Sequence, residues 1–158
     1  MTTARKEKRS FDKVPPESAE GLRTSGEREI VMWEGVLGEL HRSARKAYPR
    51  EACGILLGEG AQITQFAETA NVHPTPETHF EIDPQALIDA HRSERAGGAQ
   101  IQGYFHSHPN GQATPSVMDQ DMAARDGRIW AILGENEVKF WRDAPEGFEP
   151  LSYSVTAE

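Results

Sequence analysis

Apolar residues follow two different periods along this chain, and the change between them predicts a sheet with helices packed on it. Over residues 34–47 the apolar positions recur at helical spacing, with charged residues between them. Residues 51–58 form a nearly continuous apolar run headed by one acid. The first pattern predicts a helix, and the second predicts a central strand buried on both faces.

Shorter patterns extend the sheet in the N-terminal half. Residues 28–32 predict a short strand, and residues 63–69 predict a strand that pairs with 51–58 across a Gly-Glu-Gly turn. Two prolines mark residues 71–78 as a loop, and residues 79–82 predict a further short strand.

A second helix is predicted to begin at Pro84. Asp83 supplies a side-chain cap for the first turn, and proline fits the first helical position. Its predicted buried face carries Leu87, Ile88 and His91, and a Gly-Gly pair marks its end.

The C-terminal half is also predicted to contain strands and a helix. Residues 99–106 predict a strand, 116–126 a short helix, 128–133 and 137–141 a strand hairpin, and 148–155 one last edge strand. The whole pattern predicts an α/β or α+β fold, a mixed β-sheet flanked by about three helices.

Composition narrows the class of protein. A chain of 158 residues suits one domain, and a net charge of -8 argues against a general nucleic-acid binder, which needs clustered cations. The single cysteine, Cys53, excludes an internal disulfide framework and a Cys-rich zinc ribbon. No apolar run is long enough to cross a membrane, so we expect no membrane segment.

The first 26 residues differ from the rest. They carry six Lys or Arg against four Asp or Glu, two adjacent prolines and few large apolar residues, which predicts a disordered tail over 1–26 and a folded domain over 27–158. A Lys-Arg-Ser-Phe segment in the tail is similar to a twin-arginine export signal. No apolar segment follows it, and we therefore expect a cytoplasmic protein.

Candidate chemistry is concentrated after the strand at 99–106. His106 and His108 alternate at its end, so their side chains point to the same side. A loop rich in Pro, Gly and Asn follows, and Asp119 then lies on the first turn of the next predicted helix. Two imidazoles and one carboxylate form a three-ligand zinc set that leaves a position for water, as catalytic zinc sites do.

Two further residues complete the candidate chemistry. Glu51 is the single acid at the head of a buried strand, where a carboxylate is costly without a function or a partner. It could carry a proton from the attacking water to the departing amine. Ser116 could donate its hydroxyl to the oxyanion that forms on the attacked carbonyl.

Simpler explanations compete with each assignment. Ser116 and Asp119 also have the spacing of a capping box, and a carboxylate bent back to cap its helix would be a poor metal ligand. Glu51 could form an ion pair with Arg50, and Cys53 is expected to be a small core residue rather than a nucleophile.

The ordered set of Glu51, then His106-Ser107-His108-Pro109, then Ser116-x-x-Asp119 closely resembles the motif of the JAMM (MPN-domain) zinc metalloproteases. The resemblance extends over about residues 28–143 and is closest to the compact bacterial type. It implies a deaminase-like α/β fold in which His106, His108 and Asp119 bind Zn²⁺.

The resemblance also implies roles and a substrate. Glu51 would be the general acid/base, Ser116 would help to hold the oxyanion, and Ser107 would be structural. The compact members resemble enzymes that act at the C-terminal tail of ubiquitin-like or sulfur-carrier proteins. Whether the bond is a peptide, an isopeptide or a cysteine adduct stays open.

Three other interpretations are weighed against this one. A non-catalytic MPN-like interaction scaffold would not need the complete ligand set that is present here. A DNA-repair-associated family shares a similar histidine pattern, but the acidic balance disfavours nucleic acid as a partner. Deamination requires cysteine ligands that the chain lacks. A homodimer is left open, because small domains with an exposed edge strand often pair.

Overall fold

The structure, a computed structural model, describes residues 29–157, and these contain eight strands and three helices. The strands are β1 (Ile30–Trp33), β2 (Cys53–Glu59), β3 (Gln62–Thr69), β4 (Gln100–Ser107), β5 (Ile129–Leu133), β6 (Val138–Ala144), β7 (Gly147–Leu151) and β8 (Tyr153–Thr156). The helices are α1 (Glu34–Ala47), α2 (Pro84–Arg95) and α3 (Val117–Met122). The tail predicted over 1–26 lies outside the described residues.

All eight strands belong to one mixed sheet in the order β7-β6-β5-β4-β2-β3-β1-β8. The β4–β5, β1–β3 and β1–β8 pairs are parallel, and the remaining pairs are antiparallel. The predicted α/β fold with a mixed sheet and three helices is therefore confirmed.

The sheet is strongly curled, as its two edge strands show. β7 and β8 lie at opposite edges of the strand order, yet Ser152 alone separates them along the chain. The two edges must therefore approach each other. The rings of Phe140 on β6 and Tyr153 on β8 meet with their centroids 4.7 Å apart, a contact that only a curled sheet allows.

Each face of the sheet carries its own apolar core. On one face, α1 buries Val36 and Leu40 against the strands, together with Leu56 of β2 and Phe105 of β4. On the other face, α2 packs over a smaller cluster that includes Cys53. Side chains alternate along a strand, so β2 and β4 supply both cores, as the unbroken apolar run in β2 predicted.

The helix predictions hold with two corrections. The third helix was predicted over 116–126 but ends at Met122, because the backbone is extended at the next residue. Helix α1 covers the predicted residues, and Asp83 caps α2 by accepting a hydrogen bond from the backbone N–H of Gln85 at 3.1 Å. The predicted buried face of α2 was shifted, because Ile88 is 47% exposed while Leu87 and its neighbouring alanines contact the sheet. No helix within residues 29–157 is long and apolar enough to span a membrane.

Two strand predictions were wrong. Residues 79–82 form only an isolated bridge between Asn71 and Ile82, because the loop closes on itself instead of joining the sheet. The single edge strand predicted over 148–155 is two strands, β7 and β8, that lie at opposite edges. Side chains alternate in the same way in both halves of residues 148–155, so the sequence pattern did not reveal that this stretch forms two strands.

Candidate metal centre

His106 lies near the end of β4, in the middle of the sheet, where its side chain is fully buried. Aromatic rings hold the imidazole from two directions. The ring of Phe80 stacks on it at a centroid distance of 4.2 Å, and Trp130 meets it edge-on at 5.6 Å. Its Nδ1 makes no hydrogen bond, so ring packing fixes the direction in which Nε2 points.

His108 follows β4 directly, and hydrogen bonds at both its backbone and its ring hold it in place. Its backbone N–H donates to the carbonyl of Leu133 at 2.8 Å, and its Nδ1 lies 2.7 Å from the carbonyl of Gln112. A carbonyl only accepts, so Nδ1 carries the proton and the lone pair of Nε2 is free to bind a metal.

The loop that supplies the Gln112 carbonyl packs against β6 and against the turn between β5 and β6. The indole N–H of Trp141 donates to the carbonyl of Ala113 at 3.1 Å. Gly134 lies so close that a Cβ there would be 2.6 Å from the backbone nitrogen of Ala113. The missing side chain of Gly134 therefore allows the approach on which the orientation of His108 depends.

Asp119 is at the third position of α3, and Ser116 is the residue that caps this helix. Ser116 Oγ accepts from the N–H of Asp119 at 3.0 Å, and Asp119 Oδ2 accepts from the N–H of Ser116 at 2.9 Å. The capping box and the metal-ligand interpretation were expected to compete, but the observed geometry is compatible with both. The same Oδ2 that caps the helix also faces both imidazoles.

Three potential ligand atoms meet in one small triangle. His106 Nε2 and His108 Nε2 are 3.0 Å apart, and each is 3.1 Å from Asp119 Oδ2. Two lone pairs and a carboxylate oxygen repel each other at these distances unless a proton or a cation lies among them. Within the described residues these three side chains form a group that could bind a metal ion.

The spacing of the triangle suits zinc. Zinc bonds of ~2.0–2.2 Å to nitrogen and oxygen in a tetrahedral arrangement separate the ligand atoms by about 3.3–3.5 Å. The observed separations of 3.0 and 3.1 Å are only slightly shorter. Two imidazoles with one carboxylate also match the ligand types that zinc prefers, and three protein ligands leave room for water.

The pKa shifts of His106 and Asp119 favour a bound cation, whereas the shift of His108 favours a proton on its imidazole when no metal is bound. Burial lowers the pKa of His106, which keeps its imidazole neutral and able to bind a metal. Burial alone would raise the pKa of Asp119, but hydrogen bonds from both histidines hold it well below its usual range. Burial also lowers the pKa of His108, although its bonds to Asp119 and Gln112 outweigh this and raise it overall. The carboxylate is therefore ionised.

Glu51 lies beside the triangle, opposite His108. Cys53 pairs with His106 in the β2–β4 register, and continuing this register places Glu51 opposite His108 on the same face. Ser107 fixes the continuation, since its Oγ accepts from the N–H of Ala52 at 2.8 Å, the structural role expected of it.

The carboxyl group of Glu51 is in an unusual state. The residue is only 6% exposed, and its Oε1 makes no hydrogen bond. Burial raises the pKa of Glu51 from 4.5 to about 7, with His108 opposing the shift and Asp119 adding to it. An ion pair with Arg50 had been an alternative, but the carboxyl is turned inward instead. At neutral pH the group can either take up or release a proton.

Three supporting residues were not predicted from the sequence. Phe80 stacks on His106, the carbonyl of Gln112 orients His108, and the side chain of Asn71 binds the carbonyl of Glu51 at 3.0 Å. Each acts across a long loop or through a backbone atom, so no spacing rule marks it. The proline-rich stretch around Asn71 did predict a loop, but not that the loop would touch Glu51.

Comparison with known families and proteins gives a consistent result. Residues 34–144 match the family model described as prokaryotic homologs of the JAB domain. This range contains all five residues singled out from the sequence for chemistry, namely Glu51, His106, His108, Ser116 and Asp119.

Two relatives carry functional names. The chain is 33% identical over 115 residues to a probable TtuB-protein conjugate cleaving protease of Thermus thermophilus, covering 73% of this chain and 76% of that protein. It is 27% identical over 101 residues to a desampylase of Haloferax volcanii, covering 63% and 73% respectively.

A solved structure supports the fold. The JAB1/MPN domain protein AF2198 from Archaeoglobus fulgidus superimposes with a TM-score of 0.55 at 19% identity, covering 83% of this chain and 99% of that one. The curled mixed sheet with three helices is thus shared with JAB1/MPN domains.

Proposed function

Since the chain belongs to the family of prokaryotic homologs of the JAB domain, we propose that it is a zinc metallopeptidase that cleaves conjugates of ubiquitin-like or sulfur-carrier proteins. The similarity to JAMM proteases that the sequence indicated is confirmed by this membership. One observation carries the chemical part of the proposal. The nitrogens of His106 and His108 and an oxygen of Asp119 converge within 3.1 Å, beside a buried carboxyl group.

His106, His108 and Asp119 are the residues that would hold the zinc ion. When bound, zinc would supply a water acidic enough to attack at neutral pH, since it can lower the pKa of that water to about 7. The backbone N–H of Ser116 and the carbonyl of Gln112 would hold Asp119 and His108 in their binding orientations, as outer partners of metal ligands commonly do.

Glu51 would carry the proton during hydrolysis. A carboxyl with a pKa of about 7 is ionised in part of the molecules at neutral pH and accepts a proton from the attacking water. The protonated form then donates to the amine that leaves. A carboxyl of ordinary pKa would accept the proton readily but would be a weaker donor.

Ser116 would stabilise the oxyanion. Its Oγ already accepts the capping hydrogen bond from Asp119, and this bond uses a lone pair rather than the hydroxyl proton. The O–H is thus left to donate toward a carbonyl oxygen at the site. Such a donor acts more strongly in a partly buried position than it would in water.

The shape of the site favours an extended, slender substrate segment. The side chains of His106, His108 and Asp119 are only 0%, 12% and 5% exposed, so a bulky residue next to the scissile bond could not approach them closely. A C-terminal Gly-Gly tail in extended form meets this requirement. The names of the two relatives supply the class of protein that would carry the tail.

The test measures zinc content and cleavage in the same preparations. The substrate is a ubiquitin-like protein whose C-terminal Gly-Gly is joined through an amide to a reporter. We expect about one zinc per chain in the wild type and in Glu51→Gln, and none in His106→Ala. Cleavage should be seen in the wild type alone, with a loss of about 10²- to 10⁴-fold in Glu51→Gln.

Each part of the proposal can fail separately. A wild type that binds no zinc when it is offered would refute the metal site. Full activity in Glu51→Gln would refute the proton carrier. Equal cleavage after bulky residues replace the Gly-Gly would refute the slender tail. Bound conjugate that is never cleaved would instead support a scaffold.

A further inference from the structure

Asn71 begins the 71–82 loop, the name used here for residues 71–82 of the segment between β3 and α2, and its side chain is bonded to the backbone of Glu51. We propose that Asn71 is a positioning residue for Glu51 and acts through its backbone. The inference rests on the proposed role of Glu51 as proton carrier and adds a residue that determines where this carboxyl is held.

The side-chain amide of Asn71 is bonded at both ends. Its Nδ2 donates to the carbonyl of Glu51 at 3.0 Å and to the carbonyl of His79 at 2.9 Å. Its Oδ1 accepts from two backbone N–H groups of the same loop, both at 3.1 Å. Acceptors face the amide nitrogen and donors face the oxygen, so only one orientation of the amide satisfies every partner.

The backbone of Glu51 depends on this loop because it lies outside the sheet ladder. The pairing of β2 with β3 begins at Cys53 and Thr69, two residues beyond Glu51. The N–H of Glu51 instead donates to the carbonyl of Pro76 at 2.7 Å, and its carbonyl accepts from Asn71. Both backbone groups of Glu51 are thus bonded to the 71–82 loop.

The side chain of Glu51 is buried, and the position of its carboxyl depends on the backbone that carries it. Its Oε1 is buried and makes no hydrogen bond, so the direction of the carboxyl follows from where the loop holds the main chain. Proton transfer requires heavy atoms within about 2.6–3.2 Å, and a shift of about 1 Å can cost on the order of 10²-fold in rate. Loss of the Asn71 amide should therefore reduce turnover.

The hydrogen bonds that orient the metal ligands do not involve Asn71, and the Phe80 ring stacked on His106 is the contribution that the 71–82 loop makes to them. His106 and His108 are positioned by β4, Phe80 and Gln112, and Asp119 by the cap of α3. None of the described hydrogen bonds of these ligands involves Asn71. A change at Asn71 leaves the hydrogen bonds that orient His108 and Asp119 in place, so zinc affinity should fall far less than turnover, which separates this role from a general structural one.

The experiment compares Asn71→Ala with the wild type in three measurements on the full chain. Zinc affinity, from competition with a chelator, should change far less than kcat. Turnover of the Gly-Gly reporter should fall about 10- to 100-fold in kcat, with KM unchanged. Amide hydrogen exchange should accelerate in peptides that cover residues 50–53 and 71–82, and not in β5 or β6.

Two further variants sharpen the result. Asn71→Asp keeps the oxygen that accepts from the loop and loses the donors to Glu51 and His79, so it should show the same loss of kcat even if Asn71→Ala folds poorly. Gln65→Ala removes an exposed side-chain amide from β3 and should match the wild type in all three measurements.

The proposal is overturned if kcat is unchanged in both Asn71 variants, or if zinc affinity falls in step with kcat. Failure of the proposed function would look different. If the wild type cleaves no substrate, kcat cannot be compared between variants. The rate of amide hydrogen exchange at residues 50–53 would still test whether Asn71 holds the backbone of Glu51. Unchanged exchange there in Asn71→Ala would refute the link to Glu51, and faster exchange confined to the two segments would support it.

Discussion

The chemistry proposed for this protein depends on how single residues are charged, and Glu51 is the clearest case. Burial separates its carboxyl from water, while Asp119 nearby adds a like charge. Both effects favour the protonated form, and neighbouring His108 only partly opposes them. Keeping this carboxyl protonated up to a pH of about 7 costs folding free energy, because the same group ionises freely in the unfolded chain.

This cost predicts how stability changes with pH in the metal-free protein. The folded pKa is about 7 and the ordinary value is 4.5, so between these values the folded state holds a proton that the unfolded state releases. Glu51 therefore lowers stability progressively as pH rises from 4.5 to about 7, and the penalty stays constant above that range.

Glu51→Gln should remove the penalty. In chelator-treated protein, the free energy of unfolding from urea titrations should favour Glu51→Gln increasingly across this pH range, by on the order of 1–3 kcal/mol at the plateau. Titrations of groups that do not interact with Glu51 cancel in the difference, and the His108 titration, which Glu51 influences, does not. A difference that does not vary with pH would show that the carboxyl titrates normally in the folded state.

At the scale of the elements, the loop after β4 and the turn between β5 and β6 act together on His108. Gly134 lets the two backbones approach, and Glu135 donates its N–H to the carbonyl of Gly111 at 3.0 Å. The carbonyl of Gln112, between these contacts, is thereby held against the His108 ring. The orientation of a metal ligand on one element thus depends on a turn that follows the next strand.

Gly134→Ala should weaken zinc binding through this contact. The added Cβ would meet backbone rather than a flexible side chain, so the loop must move and the Gln112 carbonyl with it. Loss of such an outer partner typically lowers metal affinity about 10- to 100-fold, which chelator competition would measure. Gly35→Ala in α1 is the matched control, because no atom lies within 4 Å of its Cβ. Equal affinity in both variants would contradict the prediction.

The elements also show what sequence patterns could and could not predict. The extent of α1 and the cap of α2 follow from local spacing and were predicted. The separation of β7 from β8 was not, because residues 148–155 alternate without a break and the partner of each half lies far away in the chain. The period of apolar residues indicates which face of a strand is buried, whereas the curl of the whole sheet determines which strands it pairs with.

The same distinction applies to the site. His106, His108, Asp119, Glu51 and Ser116 could be named because their side chains carry the chemistry and their spacing is regular. Asn71 and Gln112 could not, since one bonds to backbone groups and the other contributes a backbone carbonyl, which any residue possesses. Phe80 resembles any other core aromatic until the stacked His106 ring is seen.

At the scale of the whole molecule, β8 completes the sheet. It pairs in parallel with β1 over all four of its residues, from Ile30 opposite Tyr153 to Trp33 opposite Thr156. Its Tyr153 also meets Phe140 from the far side of the curl. One short strand therefore covers the edge of β1 and joins the two ends of the strand order.

Removing residues 152–158 should both destabilise the protein and make it associate. The chain would lose the β1–β8 ladder and an aromatic contact, and we expect a loss of about 3 kcal/mol or more in the free energy of unfolding. The uncovered edge of β1 would offer unpaired backbone groups to a second copy. Thermal unfolding and light scattering after gel filtration would measure the two effects.

The matched control ends after Thr156, which keeps β8 and removes only the last two residues. It should remain as stable as the full chain and have the same mass in solution. If the longer truncation behaves like this control, then β8 contributes little and the sheet is closed by other contacts.

The pairing of β8 with β1 has a consequence for how the protein folds while it is being synthesised. β1 is formed by residues 30–33, but its partner on the outer side is not synthesised until residues 153–156. The ribosome covers the most recently added residues of a growing chain, so one edge of β1 stays unpaired until residues 153–156 have been synthesised and have left the ribosome. Closure of the sheet therefore comes late relative to the synthesis of β1, and the growing chain depends on β8 to end the exposure of this edge to other chains in the cell.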